Sequence, residues 1–282
     1  MINIVYEICK KYNINESFNP AIKNNQTSNR LFVSKSFFIK MYFEKKKFYY
    51  YNEIFIYTNL KKDFLPRLIA TGEISGIKYI IIERIYAQPL FSVWHKLNDI
   101  TRENIIMQMA NILKEINMLN FDKKIDFIEQ IELEYNNYIN KVIISNDLKN
   151  QIVLLHDKII GLLKVDKNRH LTYTDCHFNN FLYDGKKLYI IDFEVLNYST
   201  LDFQLDSINR MVKNPTIEAG KKYSNNIFLS DYKNILKWLK KYYIDMFNFQ
   251  YIEERLKFYS IVYNLGIMYR HNYTEEQFKN LI

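Results

Sequence analysis

The 282-residue chain is 48% hydrophobic and 25% charged, which is typical of a soluble globular protein and excludes wholesale disorder. Glycine accounts for only 6 residues, and neither G-x-x-x-x-G-K-[ST] nor G-x-G-x-x-G occurs, which excludes P-loop and Rossmann nucleotide-binding proteins. The net charge of +8 is concentrated in residues 1–90, which contain 14 Lys and Arg against 7 Asp and Glu. Because lysine runs are usually solvated, this charge alone does not predict nucleic-acid binding.

The sequence also limits the compartment in which we expect the protein. Its two cysteines, Cys9 and Cys176, are too few for a disulfide framework or a four-cysteine metal site. No apolar run approaches the roughly 18–20 residues of a membrane span. The first residues alternate apolar and charged side chains and lack a signal-peptide core. We therefore expect a cytoplasmic protein without a membrane partner.

The first 84 residues have the patterns of a small sheet with one long helix. An amphipathic helix is predicted over 3–12, and apolar runs predict five strands after it. The strands are Phe18–Lys23, Arg30–Ser34, Phe37–Phe43, Arg67–Thr71 and Lys78–Glu83, with a turn from Gly72 to Gly76 between the last two. Helical spacing predicts a helix over Lys47–Leu60 with core positions Phe48, Tyr51, Phe55 and Tyr57.

Long helical patterns dominate the sequence after Pro89. The first begins at Thr101 and has one apolar face, formed by Ile105, Met109, Ile112, Leu113 and Ile116. Further helices are predicted over 126–141, 147–164, 201–213, 229–246, 250–270 and 274–281. The expected organisation is an α+β protein with an N-terminal nucleotide-binding lobe at 1–84 and a larger, mostly helical lobe at 85–282.

A strand-loop-strand segment over 170–192 contains the residues that we expect to be functional. Asp175 ends one apolar run, Asn180 begins the next, and a turn at Gly185 returns the chain to Asp192. A carboxylate and an amide are suitable oxygen ligands for Mg²⁺, beside a second carboxylate that acts as a base. Each residue alone is more often a cap or turn residue, but the combined spacing favours a magnesium–nucleotide site.

The motifs D-x-x-x-x-N and I-D-F-E resemble H-G-D-x-x-x-x-N and I-D-[FW]-[ED] of the aminoglycoside phosphotransferase and choline kinase family. The resemblance implies a two-lobed protein-kinase-like fold, with a small antiparallel sheet and one helix in the first lobe, a hinge, and a larger helical lobe. It implies that Asp175 is the catalytic base and that Asn180 and Asp192 bind Mg²⁺.

Three residues around Asp175 need separate interpretation. Tyr173 replaces the histidine of the family motif, and we expect its hydroxyl to brace the loop in part. His177 matches a histidine that is frequent in the family's loop, and a structural role bonded to the backbone is the favoured interpretation. Cys176 is interpreted as a small packed residue. The sequence D-F-E in place of D-F-G, without A-P-E downstream, argues against a protein kinase.

The resemblance extends to the N-terminal lobe. Lys40 stands where the family has the lysine that grips the nucleotide phosphates, and Glu53 stands at the position of its ion-pair partner. Ser28 lies in the segment at the phosphate-loop position, which here lacks the family's common glycines. The backbone of Glu83 and Ile85 is expected to hold the purine.

These residues favour transfer of phosphate from ATP or GTP, with Mg²⁺, to a hydroxyl of a small molecule. An aminoglycoside-type antibiotic is the first candidate acceptor, and choline, ethanolamine or another small metabolite is the alternative. A polycationic acceptor requires carboxylates. The second lobe offers Asp202, Asp206, Glu218, Asp231, Glu253, Glu254, Glu275 and Glu276, although such residues are usually solvated.

Two alternatives from other classes remain at this stage. Tyr173 and the glycine-free phosphate loop are compatible with a catalytically inactive nucleotide-binding pseudokinase. A basic, aromatic-rich nucleic-acid-binding protein is the second alternative, but no known nucleic-acid-binding motif occurs, so we expect no nucleic-acid partner. The oligomeric state, monomer or homodimer, is left open.

Overall fold

The computed structural model describes residues 2–21, 30–43, 46–120 and 126–281. Ser28 and the end of the first predicted strand therefore lie outside the described residues. The chain divides into two compact units, Met1–Pro89 with Asn180–Val195 and Leu90–Asn179 with Leu196–Ile282. The hairpin after Asn180 thus groups with the first unit, whereas the sequence-based division assigned it to the C-terminal lobe. Within the described part of the chain, no helix combines the length and apolarity needed to cross a membrane.

A five-stranded antiparallel sheet, in the order β1-β2-β3-β5-β4, forms the framework of the first unit. Its strands are β1 (Asn19–Pro20), β2 (Arg30–Val33), β3 (Phe37–Tyr42), β4 (Leu68–Ile74) and β5 (Ile77–Glu83). Ile39 and Met41 of β3 are buried in the same apolar cluster as Ile8 of helix α1 (Ile2–Lys11). Because side chains alternate along a strand, Lys40 projects from the opposite face of the sheet.

The turn between β4 and β5 is shorter than the predicted turn from Gly72 to Gly76. Ser75 and Gly76 form it alone, with φ angles of 51° and 75°, the conformation that a two-residue hairpin turn of type I′ requires. Gly72 lies within β4 opposite Tyr79, and a Cβ there would lie 2.5 Å from the Tyr79 hydroxyl oxygen. Gly72 is therefore required by a close side-chain contact rather than by a turn.

Helix α2 (Lys47–Asn59) forms as predicted but buries a different face. Phe48 and Tyr51 are exposed, and Phe55 is only partly buried. Of the predicted core positions only Tyr57 is buried, together with Tyr50, Asn52, Glu53 and Ile56. Aromatic and aliphatic residues lie all around this helix, so hydrophobic periodicity does not identify one face. The face that is buried includes the carboxylate of Glu53.

Two smaller sheets are also found among the described residues. Strands β6 (Gln88–Pro89), β8 (Phe181–Tyr183) and β9 (Leu188–Ile190) form a three-stranded sheet in the first unit. The predicted hairpin of β8 and β9 is confirmed, with Gly185 at a φ of 100° in its turn. Strand β7 (His170–Tyr173) is not part of this hairpin. It pairs instead with β10 (Leu196–Ser199) in the second unit, an element that the sequence did not predict.

Helices build most of the second unit. They are α3 (Leu90–Val93), α4 (Asp99–Asn117), α5 (Phe127–Ile139), α6 (Asn146–Val165), α7 (Leu201–Lys213), α8 (Pro215–Ala219), α9 (Ile235–Tyr242), α10 (Ile252–His271) and α11 (Glu275–Lys279). The predicted apolar face of α4 is buried, but the helix begins before Thr101 because the Asn98 side chain caps it by accepting the Thr101 N–H. The single helix predicted over 229–246 is interrupted, and only Ile235–Tyr242 is α-helical.

Candidate active site

In the first unit, the ammonium group of Lys40 lies among three carboxylates. Its Nζ contacts Glu53 and Glu194, and lies 2.8 Å from Oδ1 of Asp192. Lys40 comes from β3, Glu53 from α2, and the two other acids from the segment after β9. We call these four residues the Lys40 cluster. It brings together three residues predicted from the sequence, and it adds Glu194, to which the sequence assigned no role.

The Lys40 cluster has more negative than positive charge. The side chains of Lys40 and Glu53 are 12% and 1% exposed, so the two groups meet in a poorly solvated region. Burial alone lowers the pKa of Lys40, but Glu53, Asp192 and Glu194 more than offset it and raise that pKa well above its ordinary value. Burial raises the pKa of Glu53 to about 7, against the opposing effect of Lys40. Three carboxylates around one ammonium thus favour a further cation.

Helix α2 also holds the I-D-F-E segment in place. The Asn52 side chain donates a hydrogen bond of 2.7 Å to the carbonyl oxygen of Glu194. The buried ring of Phe193 packs edge-on against Tyr57, with 5.7 Å between ring centroids. Asp192, between β9 and Phe193, has a φ of 65°, in the left-handed region that non-glycine residues rarely adopt. The position of the Asp192 carboxylate therefore depends on packing against α2.

The predicted metal ligands Asn180 and Asp192 lie at the same end of the β8–β9 hairpin. The Ile191 N–H donates to the Asn180 carbonyl oxygen at 3.0 Å, so Asn180 faces the residue just before Asp192. The carboxylates of Glu53, Asp192 and Glu194 each offer an oxygen within 4.8 Å of the other two. Such a set of hard oxygen donors fits Mg²⁺. The sequence assigned no role to Glu194, and the only signal for one was its position two residues after Asp192.

In the second unit, the loop after β7 contains Asp175. The Asp175 carboxylate is 39% exposed, and its Oδ1 lies 3.2 Å from Nε2 of His177. The Cys176 thiol donates to the Tyr173 carbonyl oxygen at 3.0 Å, and burial raises the pKa of Cys176 well above its ordinary value. Cys176 is thus a packed thiol, as predicted. Tyr173 is fully buried, and bracing of the loop by its hydroxyl stays a prediction.

The segment after β5 contains the residues predicted to hold the purine. The Glu83 N–H donates to the Arg67 carbonyl oxygen at 2.9 Å, and the Arg84 N–H donates to the Ser36 carbonyl oxygen at 2.8 Å. Among the described residues, no hydrogen-bond partner is found for the Ile85 N–H. A purine edge needs one donor and one acceptor, and the Glu83 N–H is already bonded within the protein. Contact of either residue with a nucleotide stays a prediction.

Most carboxylates that the sequence suggested for a cationic acceptor are paired within the protein. The Arg210 guanidinium lies 2.9 Å from Oδ2 of Asp206 and 3.1 Å from Oε1 of Glu218. We call these three residues the Arg210 cluster. The other pairs are Asp202 with Arg255, Asp231 with Arg102, Glu254 with Lys158, and Glu275 with Lys279. Since Asp202 and Asp206 are also buried, they stabilise the second unit rather than offer charge to a ligand.

A cavity of about 350 Å³ in the second unit lies beside the Arg210 cluster. It is lined by Arg210, Asn214, Ile217, Glu218, Tyr263, Asn264, Ile267, His271, Tyr273 and Leu281. The Arg210 guanidinium lies 3.6 Å from the centroid of the Tyr263 ring. Burial raises the pKa of Tyr263, Arg210 opposes this shift, and the charges of Glu218 and Asp175 add to it.

No protein-family model and no curated protein matches the sequence. Solved structures do match the chain. The streptomycin–ATP complex of APH(2")-IIa has a TM-score of 0.65 and 14% identity, over 99% of this chain and 93% of that chain. A thermostable mutant of aminoglycoside phosphotransferase APH(4)-Ia with AMP-PNP and hygromycin B has a TM-score of 0.60 and 14% identity, over 99% and 94%.

Choline kinase LicA from Streptococcus pneumoniae has a TM-score of 0.59 and 14% identity, over 99% of this chain and 96% of that chain. The chain therefore has the protein-kinase-like fold that aminoglycoside phosphotransferases and choline kinases share, with a five-stranded antiparallel sheet and a helical C-terminal part. This finding confirms the predicted fold class. At such low identity the likeness is one of fold.

Proposed function

We propose that the protein transfers the γ-phosphate of ATP or GTP to a hydroxyl of a small molecule. The observation that best supports this is the Lys40 cluster, in which Lys40 meets Asp192 from a motif 152 residues further along the chain. Such convergence of a strand lysine, a helix glutamate and a hairpin aspartate is what binding of a metal–nucleotide requires. The complexes of the structural neighbours with ATP and AMP-PNP support the same activity.

Each residue then has a separate task in the proposed reaction. Asp175 orients the acceptor hydroxyl and removes its proton, and Lys40, held by Glu53, neutralises the α- and β-phosphates. Asn180 and Asp192 hold Mg²⁺, which when bound neutralises charge that develops on the phosphates. The carbonyl of Glu83 and the N–H of Ile85 hold the purine, and Ser28 contacts phosphate. Because ATP and GTP are supplied in the cytosol, we place the activity there.

The acceptor is an aminoglycoside-type antibiotic in the first version of this proposal. Two of the structural neighbours hold streptomycin or hygromycin B, which supports this version. Choline or ethanolamine is the second version, supported by the choline kinase LicA.

The test is Mg²⁺-dependent consumption of ATP and GTP with a panel of acceptors. The panel contains kanamycin, streptomycin, hygromycin B, choline, ethanolamine, homoserine and methylthioribose, and mass spectrometry detects the phosphorylated product. We expect one acceptor to respond and Asp175→Ala to abolish its turnover, while Asp147→Ala, an exposed carboxylate in the first turn of α6, leaves it unchanged. Full turnover by Asp175→Ala would falsify the assignment of the base.

Two other outcomes separate the alternatives. If ATP raises the melting temperature but the phosphate passes neither to an acceptor of the panel nor to water, either the acceptor is missing from the panel or the protein is a nucleotide-binding pseudokinase. If neither nucleotide binds, the kinase function itself is wrong.

A further inference from the structure

The imidazole of His177 has a defined partner at each of its ring nitrogens. Its Nε2 lies 3.2 Å from Oδ1 of Asp175. Its Nδ1 lies 3.3 Å from the backbone nitrogen of Asn179. The His177 side chain is 23% exposed, so both contacts are partly shielded from water. The ring is thus held between the backbone of its own loop and the carboxylate that we propose as the base.

These two contacts determine which nitrogen holds the proton. A backbone N–H only donates, so Nδ1 of His177 must accept the hydrogen bond from Asn179. An imidazole that accepts at Nδ1 is neutral and has its proton on Nε2. The Nε2–H then donates to Asp175, which as a carboxylate only accepts. The doubly protonated ring and the opposite tautomer both lack an acceptor for the Asn179 N–H.

The loop itself is fixed by its alternating buried residues. Cys176 and Phe178 are fully buried, whereas Asp175 and His177 are not. Phe178 packs against Trp94, with 4.7 Å between ring centroids. The backbone N–H of His177 donates to the Asp175 carbonyl oxygen at 2.8 Å, which closes a tight turn. Since the residues on either side of His177 are anchored, its ring has little freedom to leave Asp175.

We propose that His177 is a positioning residue, which donates a hydrogen bond from Nε2 to Oδ1 of Asp175 and thereby orients this carboxylate towards the acceptor hydroxyl. This inference rests on the proposed function, because orientation of Asp175 affects a rate only if Asp175 acts on an acceptor. It goes beyond the structural role that the sequence favoured for His177. A carboxylate whose rotation is restricted meets the acceptor in one productive geometry more often.

A pair of amide substitutions separates the two contacts. In His177→Gln, the side-chain amide lies where Nε2 lies and can donate to Asp175. In His177→Asn, the shorter side chain keeps an acceptor for the Asn179 N–H but does not reach Asp175. We expect His177→Asn to lower kcat about 10- to 100-fold with KM for the nucleotide and the melting temperature unchanged. We expect His177→Gln to restore most of kcat.

The control is His156, a second histidine of the same unit that contacts an aspartate. Its Nδ1 lies 2.8 Å from Oδ1 of Asp157, and its ring stacks on Tyr135 at 4.1 Å between centroids. Since neither partner belongs to the proposed site, His156→Asn is expected to leave kcat unchanged. The rates are measured with the acceptor that responds in the panel, or with water if none does. If His177→Gln and His177→Asn lower kcat to the same extent and both lower the melting temperature, His177 has a structural role and the proposal is overturned.

A second measurement does not depend on turnover. Two-bond ¹H–¹⁵N correlation spectra distinguish the tautomers of the five histidines, and the spectrum of His177→Asn assigns the signal of His177. We expect the neutral Nε2–H tautomer at neutral pH. If His177 is the Nδ1–H tautomer and turnover is normal, the positioning role is overturned but the proposed function is not. Absence of any turnover by the wild-type protein overturns the proposed function, and the positioning role with it.

Discussion

The Lys40 cluster of the first unit and the Arg210 cluster of the second unit each hold a poorly exposed cation between carboxylates. Burial raises the pKa of one acid in each, to about 7 for Glu53 and about 6 for Asp206. A shifted pKa therefore does not distinguish the cluster that we propose as functional from the other one. The distinction lies in the number of carboxylates, in the cation, and in the exposure of the acids.

The Lys40 cluster has three carboxylates to one cation, and Asp192 is 40% exposed. The Arg210 cluster has two carboxylates to one cation, and the Asp206 side chain is 5% exposed. A lysine ammonium is a point charge that moves easily between acceptors, whereas an arginine guanidinium is a planar fork with fixed hydrogen-bond directions. The first arrangement is suited to exchange one of its partners for a ligand. The second is suited to hold α7 and α8 together.

The largest difference is expected when one aspartate of each cluster is changed. Asp192→Asn should lower turnover at least about a thousandfold, because a metal ligand is lost, and should change the free energy of unfolding by less than about 1 kcal/mol. Asp206→Asn removes a buried partner of Arg210, so it should act on the free energy of unfolding and leave kcat per folded molecule unchanged. Enzyme assays and urea unfolding check both. Loss of activity in a folded Asp206→Asn protein would break the comparison.

Replacement of the two cations sharpens the comparison further. Lys40→Met should lower kcat/KM about 100-fold or more and tighten binding of Mn²⁺ in the absence of nucleotide about tenfold, because an ammonium no longer competes for Asp192 and Glu194. Paramagnetic resonance of free Mn²⁺ measures this binding. Arg210→Met is the control and should leave it unchanged. Equal Mn²⁺ affinity of the Lys40→Met and wild-type proteins would show that Lys40 does not occupy a cation site.

The smallest effect is a pH dependence of stability with a different window for each cluster. The pKa of Glu53 rises from 4.5 to about 7 and that of Asp206 from 3.8 to about 6, so the folded state binds each proton more tightly than the unfolded state. Stability should thus fall as pH rises through each window, by at most about 1.4 kcal/mol per pH unit for each group.

Urea unfolding between pH 4 and 8 measures this dependence. Glu53→Gln should flatten the curve up to about pH 7, and Asp206→Asn should flatten it only up to about pH 6. Variant curves that run parallel to that of the wild type would contradict both assignments.

The sequence predicted much of this arrangement, and its omissions have physical causes. Motif spacing was sufficient to predict that Lys40, Glu53 and Asp192 lie together, because each occupies a defined place on a strand, a helix or a hairpin. The pairing of Asp206 with Arg210 was also accessible, since residues four apart share one face of a helix. The pairing of Asp202 with Arg255 was not, because 53 residues separate them and only the packing of α7 with α10 joins them.

The buried face of α2 was mispredicted for a different reason. Hydrophobic periodicity identifies a face only where polar residues mark the opposite side. In α2, aromatic side chains occur on all sides, and the polar residues Asn52 and Glu53 are buried because the first unit supplies them with partners. A buried ion pair thus reverses the pattern from which helix faces are predicted.

The left-handed backbone of Asp192 has a consequence for how this position responds to selection. A non-glycine residue in that region costs on the order of 1 kcal/mol or more, a cost that glycine avoids. A library of variants sorted for thermal stability alone should therefore accumulate glycine at position 192, whereas one sorted for turnover should keep aspartate. Stabilisation of this protein by screening for heat resistance would need position 192 held constant, since the most heat-resistant solution there is a protein without the carboxylate that we propose as a metal ligand.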